Sequence, residues 1–153
     1  MKILTIIIII ISLSFLFGFF SLFSSNVPDY SKNSKSIYDY QAVSIDGEEV
    51  KFSDFKGKKI IIVNVASKCG YTYQYEGLQK LNEIFKDEVV ILGFPSNDFL
   101  RQEPGDNQQI KQFCSTKYGI DFLMFNKVTV KKNKNQHPLY TWLSHSSLNP
   151  FKQ

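Results

Sequence analysis

Two cysteines, Cys69 and Cys114, are the side chains of this sequence best suited to chemistry. Cys69 lies between an apolar run and a helical pattern, and the start of a helix offers unpaired N–H groups and a dipole that favour a thiolate. Lys68 adds positive charge, and the thiolate is the nucleophilic form of cysteine. This position predicts a reactive thiol, although a small buried residue would satisfy the same pattern. The two cysteines do not form the C-x-x-C pair of dithiol exchange proteins.

A strand–helix–strand unit is predicted around Cys69. Ile60–Val65 and Val89–Phe94 are short apolar runs rich in β-branched residues, the pattern of strands that are buried on both faces. The segment between them carries apolar residues on one helical face, namely Leu78, Leu81, Ile84 and Phe85. Two strands joined through a helix are expected to be parallel, with a right-handed crossover.

Two loops leave the carboxyl ends of these strands, Lys68–Thr72 and Ser96–Asp106. Ligands and chemistry collect at this edge of an open parallel sheet. Cys69 is therefore expected to face the second loop, with Asn97 and Gln102 as its polar candidates. Lys68, Gly70 and Asn97 are predicted to support the site.

The rest of the folded region contains a hairpin and two more helices. An Asp46-Gly47 turn between alternating runs predicts an antiparallel hairpin. A helix is expected from about Asn107 to the stop at Gly119, followed by an extended stretch, Asp121–Val130. Pro138 opens a last short helix, where its missing N–H does no harm.

The front segment, Ile3–Phe23, carries no charge and would span about 31 Å as a helix, close to the thickness of a bilayer. It predicts an uncleaved membrane anchor or, alternatively, a cleaved signal peptide. As an entry signal it would make the protein membrane-anchored or secreted, with a lumenal or extracellular body. Residues 1–25 are thus predicted to be the anchor or signal, residues 26–36 a linker, and residues 37–153 the folded domain.

Composition excludes several classes of protein. The formal net charge is +4 over 153 residues, which is too balanced for nucleic acid to be the main partner. Two cysteines cannot build a disulfide-rich scaffold, and no His/Cys cluster has the spacing of a zinc site. Neither a metal nor another cofactor is expected.

Four stretches resemble the glutathione peroxidase family in the same order along the chain: NVASKCGYTYQYEGLQ, LGFPSNDFLRQEPGDNQQIKQFC, KYGIDFLMFNKV and HPLYTWL. The resemblance implies an α/β, thioredoxin-like fold with a central, partly parallel sheet flanked by helices, here preceded by an N-terminal hydrophobic helix. It also implies reduction of hydroperoxides at Cys69, as in cysteine-type members. Gln102 is the counterpart of the family's glutamine that polarises the reactive group.

Cys114 falls at the position of a second cysteine that many cysteine-type members use. The resemblance implies that it resolves oxidised Cys69 by forming a disulfide, which a thioredoxin-like protein then reduces in place of glutathione. From the residues alone, a core position is the favoured interpretation of Cys114, because free cysteine is commonly buried and this one lies about 10 Å along its helix from the active edge. A disulfide needs Cα atoms within about 7 Å, so the helix would have to unwind locally between Gly105 and Gly119.

Three departures from the family pattern affect these expectations. Leu100 stands where the family has glycine, and Leu123 where it has proline. The family's later Trp-Asn-Phe motif, with its two strands and last helix, has no counterpart here. Because that Trp and Asn complete the family's active site, we expect a weakly stable domain and a poor catalyst.

The sequence therefore predicts a thiol peroxidase that reduces hydrogen peroxide or lipid hydroperoxides, with a thioredoxin-like protein or glutathione as reductant. One alternative is a thiol oxidase or peroxide sensor of the secretory pathway, because the same two cysteines would serve it. The second alternative is a membrane-tethered remnant of a peroxidase that has no catalytic activity.

Overall fold

The computed structural model describes residues 35–144 of the chain. The predicted hydrophobic helix Ile3–Phe23 and most of the linker lie outside this range. Inside it, no helix is both long enough and apolar enough to pass through a bilayer.

Five strands and three helices make up the described region. In chain order they are β1 (Gln41–Val43), β2 (Glu49–Lys51), β3 (Lys59–Val65), α1 (Gln74–Phe85), β4 (Val89–Pro95), α2 (Asn107–Tyr118), β5 (Leu123–Met124) and α3 (Pro138–Leu143). Two short 3-10 helices precede β1 and follow β2. The extended stretch predicted after α2 contains just the two strand residues of β5, because most of it runs as irregular backbone.

The predicted hairpin is confirmed as an antiparallel pair of β1 and β2. Its turn contains Gly47 at φ 88°, a left-handed conformation that glycine adopts without steric cost. The second strand ends at Lys51, earlier than its alternating pattern suggests, because Phe52 turns inward and is completely buried. The Phe52 ring meets Phe125 edge to face at 5.9 Å.

The central sheet has the strand order β3-β4-β5, and all its pairs are parallel. The α1 helix connects β3 to β4, so the predicted strand–helix–strand unit is confirmed. Gly93 of β4 lies opposite Met124 of β5, and a Cβ atom at Gly93 would come within 2.5 Å of the Met124 sulfur. Glycine therefore leaves room for the Met124 and Phe122 side chains, which pack against this point of the central strand.

The prediction that both main strands are buried on both faces is right for β4 and wrong for β3. Ile91–Pro95 of β4 is buried throughout. Ile60–Val63 of β3 is half-buried. The reason is position, since β4 has a strand on each side, whereas β3 pairs with β4 alone within residues 35–144. An apolar run of this length does not distinguish a central strand from an edge strand.

The β4 strand separates two apolar clusters, because successive side chains of a strand point to opposite faces. Ile91 belongs to the cluster under α1 and α2, and Leu92 and Phe94 belong to the cluster shared with the hairpin and α3. Phe94 stacks on Phe125 with ring centroids 4.4 Å apart. Burying each such side chain contributes about 1.5–3 kcal/mol to folding. The two clusters therefore hold β4 firmly between them and fix the position of its carboxyl end.

Candidate active site

Cys69 lies in the turn between β3 and α1 and is half-buried. The buried Thr72 side chain organises this turn, because its Oγ1 accepts the Cys69 N–H at 2.9 Å. The same hydroxyl group lies 3.0 Å from the carbonyl oxygen of Ala66 and 2.7 Å from that of Cys69, either of which can accept its proton. One hydroxyl group thus fixes the backbone on both sides of the thiol.

A backbone N–H group of the turn reaches the sulfur directly. Tyr71 donates its N–H to the Cys69 Sγ at 3.5 Å. The α1 helix begins at Gln74, so four residues of turn separate the thiol from the helix that was expected to adjoin it. Tyr71 therefore provides an N–H contact of the kind that a helix terminus was expected to supply.

The two loops at the carboxyl edge meet through three hydrogen bonds next to Cys69. Lys68 donates its N–H to the Gln102 carbonyl oxygen at 2.9 Å. Ser67 donates both its N–H, at 2.8 Å, and its hydroxyl group, at 3.0 Å, to Oε2 of Glu103. The segment that enters the Cys69 turn is therefore fastened to the loop that carries Gln102.

The polar candidates of the second loop differ in their contacts. The Asn97 Oδ1 accepts the Glu103 N–H at 2.9 Å, so this side chain shapes its own loop. Gln102 is half-buried and binds Lys68 through its backbone. No hydrogen bond joins the Asn97 or Gln102 side chain to Cys69 within residues 35–144. The polarising role of Gln102 stays a prediction.

The remaining candidates, Lys68 and Gly70, are exposed on either side of Cys69. A Cβ atom added at Gly70 would meet nothing within 4 Å. Glycine is therefore not sterically required there, because the space next to the Gly70 Cα atom is open.

Glu103 is a member of the site that the sequence did not single out. It is 1% exposed, and burial raises the pKa of its carboxyl group, an effect opposed by the Ser67 hydrogen bonds and by the charges of Lys127 and Lys68. Lys127 also donates from Nζ to the Gly105 carbonyl oxygen at 2.5 Å. The buried Glu103 carboxyl group thus joins the two loops through hydrogen bonds. The sequence alone does not indicate this, because a glutamate next to Gln102 would ordinarily be expected to face solvent.

The tip of the second loop has an unusual backbone. Leu100 and Arg101 have φ angles of 51° and 54°, in the left-handed region that non-glycine residues avoid. Leu100 is 89% exposed, so burial of its side chain does not offset the strain. This conformation explains why glycine suits the position and why the leucine noted in the sequence is costly.

Cys114 has a different environment from Cys69. It lies in α2, is 2% exposed, and belongs to the apolar cluster that includes Tyr75. Burial raises the pKa of its thiol. Both cysteines are free thiols, and Cys69 lines a small cavity of about 80 Å³ together with Tyr75 and Thr72.

The chemistry that this arrangement can perform is that of a thiol. The part of the chain that the structure describes holds no group of three His, Cys, Asp or Glu side chains placed to bind a metal ion. An accessible sulfur with an N–H donor, on a turn tied to a polar loop, suits nucleophilic attack on a small electrophile.

Comparison with known proteins agrees with this geometry. The family model of glutathione peroxidase matches residues 37–144. The chain is 51% identical over 109 residues to a glutathione peroxidase of Lactococcus lactis subsp. cremoris, covering 71% of this chain and 69% of that protein. It is 47% identical over 115 residues to the hydroperoxy fatty acid reductase gpx1 of Synechocystis sp., covering 74% and 68% of the two chains.

A solved structure supports the same relationship. The crystal structure of T. cruzi GPX1 matches with a TM-score of 0.52 and 35% identity, over 70% of this chain and 63% of that one. The chain thus spans roughly two thirds of the length of the proteins it matches. The predicted thioredoxin-like α/β fold is confirmed by this similarity and by the parallel sheet. Together, the match over residues 37–144 and the identity to curated relatives show that the chain belongs to the glutathione peroxidase family of peroxidase oxidoreductases.

Proposed function

We propose that this protein is a thiol peroxidase whose peroxidatic residue is Cys69. The observation that carries the proposal is the Tyr71 N–H on the Cys69 sulfur, in a half-buried turn open beside Gly70. The donor contacts the sulfur that would attack, and the half-buried turn leaves that sulfur partly accessible to a peroxide. Membership of the family supports the same activity.

The first chemical step is attack of the Cys69 thiolate on one oxygen of the peroxide O–O bond. An S–O bond forms, the O–O bond breaks, and the leaving alkoxide or hydroxide takes up a proton to give an alcohol or water. Cys69 becomes a sulfenic acid, and the peroxide is reduced by two electrons. Gln102, whose loop is fastened to the entry of the Cys69 turn, is the side chain we assign to polarising the reacting group.

Cys114 is the residue we assign to resolving the sulfenic acid. Its sulfur attacks the Cys69 sulfur, an S–S bond forms, the S–O bond breaks, and water leaves with the thiol proton. An external thiol then reduces the disulfide, and a thioredoxin-like protein or glutathione would serve. The buried position of Cys114 means that α2 must open locally for this step.

The α2 helix is fastened at both ends, which limits where it can open. At its start, Asn107 donates from Nδ2 to the Asn126 Oδ1 at 2.7 Å, and Asp106 closes a capping box. Just beyond its end, Asp121 and Gln79 exchange two hydrogen bonds, of 2.8 and 3.1 Å. The Cys114 carbonyl oxygen itself accepts the Ile120 N–H at 3.2 Å, so the opening that releases Cys114 must break this last turn of the helix between the two fastened ends.

Hydrogen peroxide and lipid hydroperoxides are the substrates we propose. The name of the Synechocystis relative, hydroperoxy fatty acid reductase, supports the lipid class. The names of the two curated relatives described above do not favour the thiol oxidase or remnant alternatives. Turnover with a thioredoxin, compared with turnover of a reduced unfolded protein, separates a peroxidase from an oxidase.

The test of the mechanism uses Cys69→Ser and Cys114→Ser in the full chain. Cys69→Ser should abolish peroxide consumption. Cys114→Ser should keep the first oxidation and proceed to sulfinic acid at excess peroxide, which intact mass detects as two added oxygens. Normal cycling of Cys114→Ser with thioredoxin would show that Cys114 is not the resolving residue.

We further propose that Ile3–Phe23 attaches the protein to a membrane and directs its body to a lumenal or extracellular space. Length and lack of charge support this assignment. Alkaline carbonate extraction should leave the protein with the membrane. A soluble mature form beginning near residue 25 would instead identify a cleaved signal peptide.

A further inference from the structure

Tyr75, in the first turn of α1, carries a hydroxyl group without an evident structural purpose. The residue is 3% exposed. Its hydroxyl oxygen is buried and has no aligned hydrogen-bond partner within residues 35–144. Buried polar groups are nearly always paired, so an unpaired one calls for an explanation such as a catalytic role.

The position of Tyr75 relates it to both cysteines. Its side chain lines the cavity of about 80 Å³ that Cys69 also lines. It packs in the same apolar cluster as Cys114, whose thiol neighbours the Tyr75 hydroxyl group. Tyr75 therefore shares a cavity with the proposed peroxidatic residue, Cys69, and a buried cluster with the proposed resolving residue, Cys114.

Packing alone explains the ring of Tyr75 and leaves its hydroxyl group unexplained. The ring lies 5.4 Å from the ring of Tyr118, a contact that phenylalanine would make equally well. A hydroxyl group in an apolar cluster is unfavourable unless it finds a partner. The Cys114 thiol, which belongs to the same buried cluster, is the reactive group available as that partner.

We propose that Tyr75 is a positioning residue for the resolving step, in which its hydroxyl group donates a hydrogen bond to the Cys114 sulfur as that sulfur becomes the nucleophile. The inference rests on the proposed function, which assigns resolution to Cys114. The S–S bond forms as the Cys69 S–O bond breaks, and the proton of the Cys114 thiol leaves in the water produced. Tyr75 supplies a donor and keeps its own proton.

The electrostatics of this interior agree with such a donor. Burial raises the pKa of the Cys114 thiol and the Glu103 charge acts in the same direction, whereas the neighbouring Tyr75 hydroxyl group acts against both. The pKa of the Tyr75 hydroxyl group is itself raised, chiefly by burial, so it stays protonated and able to donate. Tyr75 is thus the group beside Cys114 that favours its thiolate.

The test is Tyr75→Phe in the full chain, with Tyr118→Phe as the matched control. Pre-reduced protein is mixed with one equivalent of hydrogen peroxide, and the sulfenic acid and the disulfide are followed separately by trapping and intact mass. Tyr75→Phe should form the disulfide about tenfold more slowly, the effect of losing one hydrogen bond to a charged sulfur, while sulfenic acid forms within twofold of the wild-type rate. Tyr118→Phe, which keeps the aromatic contact, should alter neither step.

The outcomes separate this inference from the function on which it rests. A Cys69–Cys114 disulfide that forms equally fast in Tyr75→Phe and wild type would overturn the inference and leave the function standing. An equal slowing of both steps would assign Tyr75 a purely structural role and also overturn it. Absence of that disulfide in the wild type would overturn both.

Discussion

Thr72 Oγ1 lies 2.9 Å from the Cys69 nitrogen and accepts its N–H group, while standing 2.7 Å from the carbonyl oxygen of the same residue. A side chain that binds both polar backbone groups of a reactive residue controls where that residue points. The Thr72 backbone N–H also donates to the Cys69 carbonyl oxygen at 3.1 Å, so Thr72 holds the Cys69 turn through both its side chain and its backbone.

Thr72→Val should misplace Cys69. The change keeps the shape of the side chain and leaves the Cys69 N–H without its partner, which costs about 1–3 kcal/mol of unfolding free energy. Peroxide consumption should fall by about 10- to 100-fold, because small misplacements of a reacting group are costly. Stopped-flow peroxide assays and thermal unfolding measure both effects. Thr72→Ser retains the hydroxyl group, and an equal loss of activity in that variant would contradict the explanation.

Glu103→Gln should change how stability depends on pH. Burial raises the pKa of Glu103 in the folded state, so its neutral form contributes stability below the unfolded pKa, and this contribution is lost as pH rises through the folded pKa. Glutamine keeps an acceptor for Ser67 and does not ionise. The variant should therefore gain stability relative to wild type as pH rises from about 4 towards 7.

Denaturant unfolding at a series of pH values measures this difference for Glu103→Gln. Glu103→Ala is the control, since it removes the acceptor of two Ser67 hydrogen bonds and should be less stable at every pH. Parallel stability curves for wild type and Glu103→Gln would show that the carboxyl group does not titrate in this range.

Leu100→Gly should stabilise the protein by about 1 kcal/mol, because a left-handed backbone strains leucine and suits glycine. The side chain is 89% exposed, so little burial is lost. Leu100→Ala keeps a Cβ atom and hence the strain, and should leave the melting temperature nearly unchanged. A gain in Leu100→Ala equal to that in Leu100→Gly would assign the effect to the exposed apolar side chain instead.

His137 should make the protein less stable in mild acid. Its Nδ1 accepts the Leu139 N–H at 3.3 Å at the start of α3, and burial lowers its pKa. Its contribution to stability is complete above the unfolded pKa of about 6.5 and is lost as pH falls through the lower folded pKa. His137→Asn keeps an N-terminal cap and should flatten this fall, as measured by melting temperature between pH 7 and 5.

Local patterns predicted the elements of this fold well. The structure contains the elements predicted from the Asp46-Gly47 turn, from the apolar runs of β3 and β4, and from the helix stop at Gly119. Each of these patterns depends on residues within about ten positions of one another. The half-buried state of β3 escaped prediction because it depends on which strands lie beside it. That information is held elsewhere in the chain.

The sequence predicted where the site lies in the fold, but it did not predict most of the hydrogen bonds that form it. Topology brings the Cys69 turn and the Gln102 loop to one edge, as expected. Glu103 binds Ser67 across 36 residues of sequence, and no periodicity encodes such a bond. Thr72 and Tyr75 were missed for a related reason, since a turn hydroxyl and a core tyrosine are ordinary residues until their partners are known.

The fastening of α2 at both ends has a consequence for the encounter of the two thiols. If the middle of α2 melts while the contacts of Asn107 and Asp121 persist, the released segment is a short closed loop. A thiol on such a loop explores a small volume, and its effective concentration near the partner reaches the millimolar range or above. Cys114 would then compete with soluble thiols for the Cys69 sulfenic acid by confinement, even though it begins the cycle in the protein core.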